Sequence, residues 1–249
     1  QAPVLFPICG SIRDDKAQIG NRKQTNMPRH GVVRKKEFKC VEQTENSILF
    51  EIESKEEMLA QYPYEFKLGI NYILEGKKIT TRYIIENKDK EIMPFQIGGH
   101  PGFHCPLYKE ESYEDTNIFE QKETCTVPTP VTETGLIDME HRSEFLKDTD
   151  TLPLKHDLFS VDAVILDQLN TRAVTLKRKN NNKGIRIDFN QFPYLILWST
   201  AKEADFVALE PWIGLSTCSD EGDKFEEKRN IQYAQAGEVK EYEFHINIL

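Results

Sequence analysis

YEFKLGINYILEGKKITTRYIIEN, residues 64–87, is the clearest strand pattern in this chain of 249 residues. Every second residue over 66–72 is apolar and its neighbours are polar or small, which is the two-residue period of a half-buried β-strand. Gly76 follows at the point where a tight turn favours a residue without a side chain. We therefore predict a hairpin whose two strands are 64–75 and 78–87.

Similar signals recur along the chain and predict an all-β, mostly antiparallel fold. Further strands are predicted at 48–53, 173–177, 184–189, 194–199 and 206–210, and at 242–248. A capping-box pattern at 54–57 predicts one short helix, which Tyr62-Pro63 ends. The Asn-rich run 177–184 is predicted to be a hairpin turn, and the acidic stretch 109–124 a surface loop. Because no linker divides the chain, we expect a single domain over residues 1–249.

The net charge and the cysteine content limit the classes of partner and the cellular compartment that we expect. The formal net charge of −9 argues against nucleic acid or an anionic membrane surface, and no apolar run is long enough to span a bilayer. The five cysteines are scattered and form no C-x-x-C pair, which favours reduced thiols. We expect a cytoplasmic protein with neither a nucleic-acid nor a membrane partner.

Two side chains that are able to transfer protons each follow an apolar run and precede a proline. His100 lies before Pro101, and Glu210 lies before Pro211. A residue before proline is held in extended geometry, so both should lie at or just past strand ends, with side chains aimed by the sheet. Such a pair suits general acid and general base catalysis on one small substrate. The alternative is that both are ordinary strand-end residues.

Two other segments collect polar side chains. In M-P-R-H-G-V-V-R, residues 27–34, His30 and Arg34 flank a glycine where the backbone turns or approaches a ligand. In the segment 152–165, Asp162 comes just before an apolar strand, where its carboxylate either faces a pocket or caps a turn.

A zinc site at His100, His104 and Cys105 is disfavoured by its context. Pro101 and Pro106 prevent a regular helix from placing both imidazoles on one face, and no second ligand pair with familiar spacing follows. A P-loop, a dinucleotide fingerprint and a G-x-S-x-G elbow are also missing from the sequence. We expect neither a metal nor a cofactor.

Five motifs in order resemble the aldose 1-epimerase family, and in particular its bacterial galactose-mutarotase-like subgroup. They are P-V-L-F-P-I-x-G (3–10), P-R-H-G-x-x-R (28–34), I-G-G-H-P-G-F (97–103), L-P-L-x-H-D-L-F-x-x-D-A (152–163) and L-E-P-W-x-G (209–214). The resemblance implies a large antiparallel β-sandwich of the galactose-mutarotase type, a supersandwich, with a sugar site on a concave face. Members of this subgroup begin well upstream of the first motif, so we expect the N-terminal strands to be missing from this chain.

The resemblance also implies roles for individual residues. His100 matches the general-acid histidine and Glu210 the general-base glutamate, which at neutral pH requires an ionised Glu210 and a protonated His100. His30 matches a second histidine that contacts the substrate. Asp162 matches a carboxylate that binds sugar hydroxyls, and Arg34 a basic residue of the same pocket.

Two aromatic residues and one departure complete the expected site. The rings of Phe103 and Trp212 suit the carbon faces of a sugar, although as lone aromatics they equally suit a core. Ser11 occupies a position where relatives usually carry an arginine. Arg13 lies two residues later on the same strand face, and it either substitutes for that arginine or the contact is lost.

The predicted function is interconversion of the α and β anomers of an aldose by ring opening and reclosure, without a cofactor. Galactose, glucose and hexose 6-phosphates are the candidate substrates, the last because the Arg34 guanidinium pairs well with phosphate oxygens. One alternative is a non-catalytic carbohydrate-binding protein on the same fold. Another is a glycoside hydrolase, which would use Asp162 and Glu210 as its two carboxylates. The sequence leaves the sugar and the oligomeric state open.

Overall fold

The structure is a computed structural model that describes residues 2–21, 24–106, 113, 116–178, 183–200 and 204–249. In chain order the strands are β1 Val4–Leu5, β2 Lys16–Ala17, β3 Thr25–Asn26, β4 Lys39–Gln43, β5 Ser47–Glu53, β6 Phe66–Glu75, β7 Lys78–Asn87, β8 Met93–Phe95, β9 Gly98–Gly99, β10 Gly102–His104, β11 Thr116–Val131, β12 Leu136–Pro153, β13 Val164–Leu166, β14 Ala173–Lys177, β15 Gly184–Asp188, β16 Tyr194–Trp198, β17 Phe206–Trp212, β18 Gln232–Ala234 and β19 Val239–Ile248. The helix α1 spans Glu56–Leu59, and 3-10 turns lie at Arg13–Asp15, His156–Phe159 and Phe225–Glu227.

Two antiparallel sheets form the sandwich. The larger sheet has the strand order β12-β11-β14-β15-β19-β7-β6-β5-β4. The smaller has the order β1-β9-β17-β16-β13, with β10 also paired to β17. The hairpins β2–β3 and β8–β18 stand apart from both. The predicted all-β antiparallel sandwich is confirmed.

The hairpin of β6 and β7 is confirmed in the predicted register. The two strands pair from Phe66 opposite Asn87 to Glu75 opposite Lys78. Gly76 sits in the turn with φ +61°, a left-handed conformation that glycine adopts without a steric penalty. The hairpin prediction at 177–184 also agrees with the pairing of Lys177 with Gly184, although residues 179–182 lie outside the described part of the chain.

Two local predictions are wrong. The helix starts at Glu56 with Lys55 before it, and the Ser54 hydroxyl accepts a hydrogen bond from the Phe66 N–H at 3.1 Å instead of capping the helix. The stretch 109–124 is not all loop, because β11 begins at Thr116 and pairs with both β12 and β14. Residues 109–112 and 114–115 lie outside the described residues.

The two faces of the smaller sheet have different surroundings. Leu195, Leu197 and Leu209 belong to the main apolar core, which also contains buried side chains of the larger sheet. The residues that alternate with them, Ile196 on β16 and Trp212 on β17, belong to a separate small cluster. The face that carries Ile196 is therefore the one turned away from the main core, and it is available to form a site. Within the residues that the structure describes, no helix is long and apolar enough to cross a membrane.

Candidate active site

A cavity of about 300 Å³ lies on this face of the smaller sheet. Its walls carry charged, imidazole and indole groups together. The lining residues are Arg29, His30, Arg34, His100, Asp162, Ala163, Ile196, Trp198, Glu210 and Trp212. The structure thus brings together His100, Glu210, His30, Arg34, Asp162 and Trp212, which the sequence singled out from four separate segments.

The strand register places His100 opposite Glu210. Gly98 is paired with Trp212, and Gly102 with Ala208. Counting two residues inward from either pair arrives at His100 on one segment and at Glu210 on the facing strand β17. Side chains directly opposite each other in an antiparallel pair project from the same face, and the Nε2 atom of His100 lies 3.2 Å from the Oε1 atom of Glu210.

A proline directly follows each member of this pair. Neither Pro101 nor Pro211 is able to donate a ladder hydrogen bond, and prolines are tolerated where strand pairing is interrupted. His100 lies just past the end of β9, as predicted. Glu210 does not end a strand, because β17 continues through Pro211 and remains paired with β16. The prediction of a strand end at Glu210 is therefore wrong.

Burial governs the protonation of the pair. It raises the pKa of Glu210 well above its usual range, against smaller lowering effects from the Trp212 indole N–H and the charge of Arg29. Burial also lowers the pKa of His100 to about 4, against a hydrogen bond with its own backbone that raises it. Burial therefore favours the neutral form of both groups, with the proton of the pair on Glu210. This direction is opposite to the ionised Glu210 and protonated His100 expected from the sequence.

His30 is held by an unusual backbone and a reciprocal pair of hydrogen bonds. It has φ +69°, and Gly31 after it has φ +80°. A side chain on Gly31 would lie 2.1 Å from the Phe6 carbonyl oxygen, which explains that glycine. The His30 N–H donates to the Gly10 carbonyl at 2.7 Å, and the Gly10 N–H donates to His30 Nδ1 at 3.1 Å.

These contacts define the protonation of His30. Because Nδ1 accepts a hydrogen bond, the ring proton of the neutral imidazole is on Nε2. Burial, followed by the charges of Arg29, His100 and Arg34, lowers the pKa of His30 to about 3. His30 is therefore a neutral hydrogen-bond donor in the cavity wall at physiological pH.

Asp162 and the two arginines form the charged side of the cavity. The Asp162 Oδ2 atom lies 3.4 Å from Arg29 Nη2, and its Oδ1 atom accepts a hydrogen bond from the Ala163 N–H at 2.9 Å. Asp162 thus faces the pocket and also anchors its own turn, so both alternatives from the sequence are realised. Arg34 is an exposed residue of the same wall.

Some expected residues lie elsewhere. Phe103 lines a second, adjoining cavity of about 440 Å³, which shares His100 and Trp198 with the first. Arg13 does not take the place of the arginine absent at Ser11, since its guanidinium pairs with Asp223 at 3.1 Å and donates to a backbone carbonyl. Neither Ser11 nor Arg13 lines the first cavity.

Sequence reasoning missed four lining residues, which are Arg29, Ala163, Ile196 and Trp198. Ile196 and Trp198 lie on one face of β16, and Trp198 packs edge-on against His100 with ring centroids 5.7 Å apart. Their alternation with buried leucines was visible, but it did not show which face was open. Arg29 looked like a surface charge. Among the described residues, no group of three or more His, Cys, Asp or Glu side chains is placed to hold a metal ion.

Known proteins share this architecture. The sequence profile described as aldose 1-epimerase matches residues 1–231. Protein LacX of Lactococcus lactis, in its plasmid and chromosomal forms, is 44% identical over 255 aligned residues, which cover 100% of this chain and 85% of LacX.

Two solved structures extend the likeness to the fold. The galactose mutarotase related enzyme from Lactobacillus acidophilus aligns with a TM-score of 0.91 and 28% identity, over 100% of this chain and 82% of that one. A galactose mutarotase-like protein from Lactobacillus casei aligns with a TM-score of 0.85 and 27% identity, over 100% and 85%. With its sequence profile, its relatives and its fold in agreement, the chain belongs to the aldose 1-epimerase family.

Proposed function

We propose that the protein interconverts the α and β anomers of an aldose, with His100 and Glu210 as the catalytic acid and base. The observation that carries this proposal is the 3.2 Å contact between His100 Nε2 and Glu210 Oε1 in a cavity of about 300 Å³. In a cyclic aldose, the anomeric oxygen O1 and the ring oxygen O5 are bonded to the same carbon, C1. A proton donor and a proton acceptor in direct contact suit two such neighbouring oxygens.

Ring opening breaks the O5–C1 bond while the C1–O1 bond becomes a carbonyl. Glu210 accepts the proton from O1, and His100 delivers its Nε2 proton to O5. This step uses the form of the pair in which His100 holds the shared proton, and the Trp212 hydrogen bond and the charge of Arg29 favour the carboxylate of that form. After rotation about C1–C2, the reverse transfers close the ring on the other face. Both groups are then restored without a proton from outside.

The other walls supply contacts that hold the sugar. The His30 Nε2–H donates to a sugar oxygen, and the Asp162 carboxylate accepts from sugar hydroxyls. Arg34 provides further donors, and the Trp212 ring an apolar wall. Phe103 contacts the sugar only where it extends into the adjoining cavity. These roles are supported by the placement of the residues around one cavity.

Polarimetry on freshly dissolved α-glucose and α-galactose tests the function, with proton NMR of the two anomers for the 6-phosphates. We expect the protein to accelerate the approach to anomeric equilibrium for at least one of these sugars. Sugar binding without faster exchange would support a carbohydrate-binding protein instead. Release of reducing sugar from a glycoside would support a hydrolase.

Domain organisation and location belong to the same proposal. The main apolar core draws on residues from Val4 to Phe244, which supports one domain over residues 1–249. None of the five cysteines forms a disulfide, and four of them are buried, which supports a reducing, cytoplasmic environment.

A further inference from the structure

The two oxygens of the Glu210 carboxyl have different partners. Oε1 faces His100 Nε2 at 3.2 Å, and Oε2 accepts a hydrogen bond from the Trp212 Nε1–H at 3.1 Å. Glu210 and Trp212 are two residues apart on β17, so their side chains project from the same face of the strand. Glu210 is 1% exposed and Trp212 6% exposed, so water competes little for this contact.

The indole N–H is a donor and has no acceptor atom. It therefore bonds best to an oxygen that carries no proton. When Glu210 is protonated, this contact leaves Oε2 as the carbonyl oxygen and places the proton on Oε1. That proton then points toward the Nε2 atom of His100.

The position of the indole depends on a glycine. Gly98 is the strand partner of Trp212, and a side chain at Gly98 would lie 2.9 Å from the Trp212 Cδ1 atom and 2.9 Å from the Cys9 sulfur. The His30 ring packs edge-on against the indole, with ring centroids 5.6 Å apart. Gly98 thus leaves the space in which the ring lies.

We propose that Trp212 is a positioning residue that directs the Glu210 proton to Oε1, and that Gly98, which has no side chain, leaves the space that the Trp212 ring occupies. This inference rests on the proposed function for its catalytic meaning, because only the oxygen that faces His100 then exchanges protons with the sugar. It also gives Trp212 a role beyond the apolar wall expected from the sequence. The same contact explains why residue 98, which precedes Gly99 and His100, is a glycine.

The test is an NMR titration of Glu210 in protein labelled with ¹³C at the glutamate carboxyl carbons. The Glu210 signal is the one that Glu210→Gln removes. Trp212→Phe keeps an aromatic ring and removes the N–H. Because hydrogen bonds to charged groups favour the ionised form, we expect Trp212→Phe to raise the pKa of Glu210 by about one to two units. The alkaline limb of the mutarotation pH profile should move up by the same amount.

Substitutions at two glycines, Gly98 and Gly102, provide a second test variant and its matched control. Gly98→Ala displaces the indole and should raise the pKa of Glu210 in the same direction. At Gly102, a side-chain carbon would lie at an ordinary 3.8 Å from the Phe206 ring, so Gly102→Ala should leave that pKa unchanged. If Gly98→Ala does not fold, the comparison of wild type with Trp212→Phe still decides.

The outcomes separate this inference from the proposed function. An unchanged Glu210 pKa in Trp212→Phe would overturn the positioning role, whatever the protein catalyses. A raised pKa in Trp212→Phe, in a protein whose wild type shows no anomer exchange, would support the positioning of the proton and overturn the proposed function alone.

Discussion

Replacing His30 by asparagine removes one titrating group from the cavity while keeping the local backbone. Asparagine tolerates the left-handed φ of +69° at this position. Its side-chain oxygen is placed to accept the hydrogen bond that the Gly10 N–H now donates to Nδ1 at 3.1 Å. The substitution therefore isolates the effect of the His30 imidazole on the free energy of unfolding.

The magnitude follows from the pKa of His30, which burial lowers from 6.5 to about 3. Below pH 6.5, the unfolded chain binds a proton at His30 that the folded protein does not, so stability falls as the pH falls toward 3. Between pH 7 and pH 5 this difference amounts to about 2 kcal/mol. His100 adds a loss of the same sign, but it is present in both proteins and cancels in the comparison.

Urea unfolding of both proteins at pH 7 and at pH 5 measures the effect. Wild type should lose about 2 kcal/mol more than His30→Asn over this interval. His104→Asn, which removes an exposed imidazole, serves as the control and should follow wild type. Equal losses in wild type and His30→Asn would refute the buried, neutral His30.

Three further outcomes are expected. The mutarotation rate should fall below about pH 4, where His100 becomes protonated while Glu210 keeps its proton. It should also fall above the raised pKa of Glu210, where the pair has lost its proton, and polarimetry across pH checks both limbs. Glu210→Gln should raise the unfolding temperature at pH 8, because a buried carboxyl with a raised pKa costs about 1.4 kcal/mol of stability per pH unit between its unfolded and folded pKa values. A lower unfolding temperature of the variant, measured by calorimetry, would contradict this. If Arg34 binds a phosphate, hexose 6-phosphates should bind more tightly than hexoses by calorimetric titration, and Arg34→Ala should abolish the difference; equal affinities in wild type would exclude that role.

Strands with one buried face were predictable from the sequence, and strands without one were not. In β6 the apolar positions are set by contact with the core, and that contact is the origin of the alternation. In the 18-residue strand β12 most side chains are exposed or half-buried, and the pairing with β11 shifts register at several bulges. Its charged sequence consequently lacks a strand period.

The site was predictable in its members more than in its geometry. The prolines after His100 and Glu210 drew attention to both residues, but their contact depends on the register of β9 and β10 against β17, which is set by distant parts of the chain. Trp198 carries no sequence signal of a site, because an aromatic residue in an apolar strand is also typical of a core. The pKa directions of the pair had no sequence signal, since they arise from burial on the folded sheet.

Polarimetric mutarotation by wild type, Glu210→Gln and His100→Asn tests the central claim most directly. Glu210→Gln keeps the side-chain shape and removes the proton acceptor, and His100→Asn keeps a hydrogen-bonding group and removes the proton donor. Each should lower the catalysed rate by about 10²- to 10⁴-fold while the fold, checked by circular dichroism, and sugar binding persist. His104→Asn should exchange anomers at the wild-type rate. Near-wild-type exchange by Glu210→Gln would contradict the assignment of His100 and Glu210 as the acid and base.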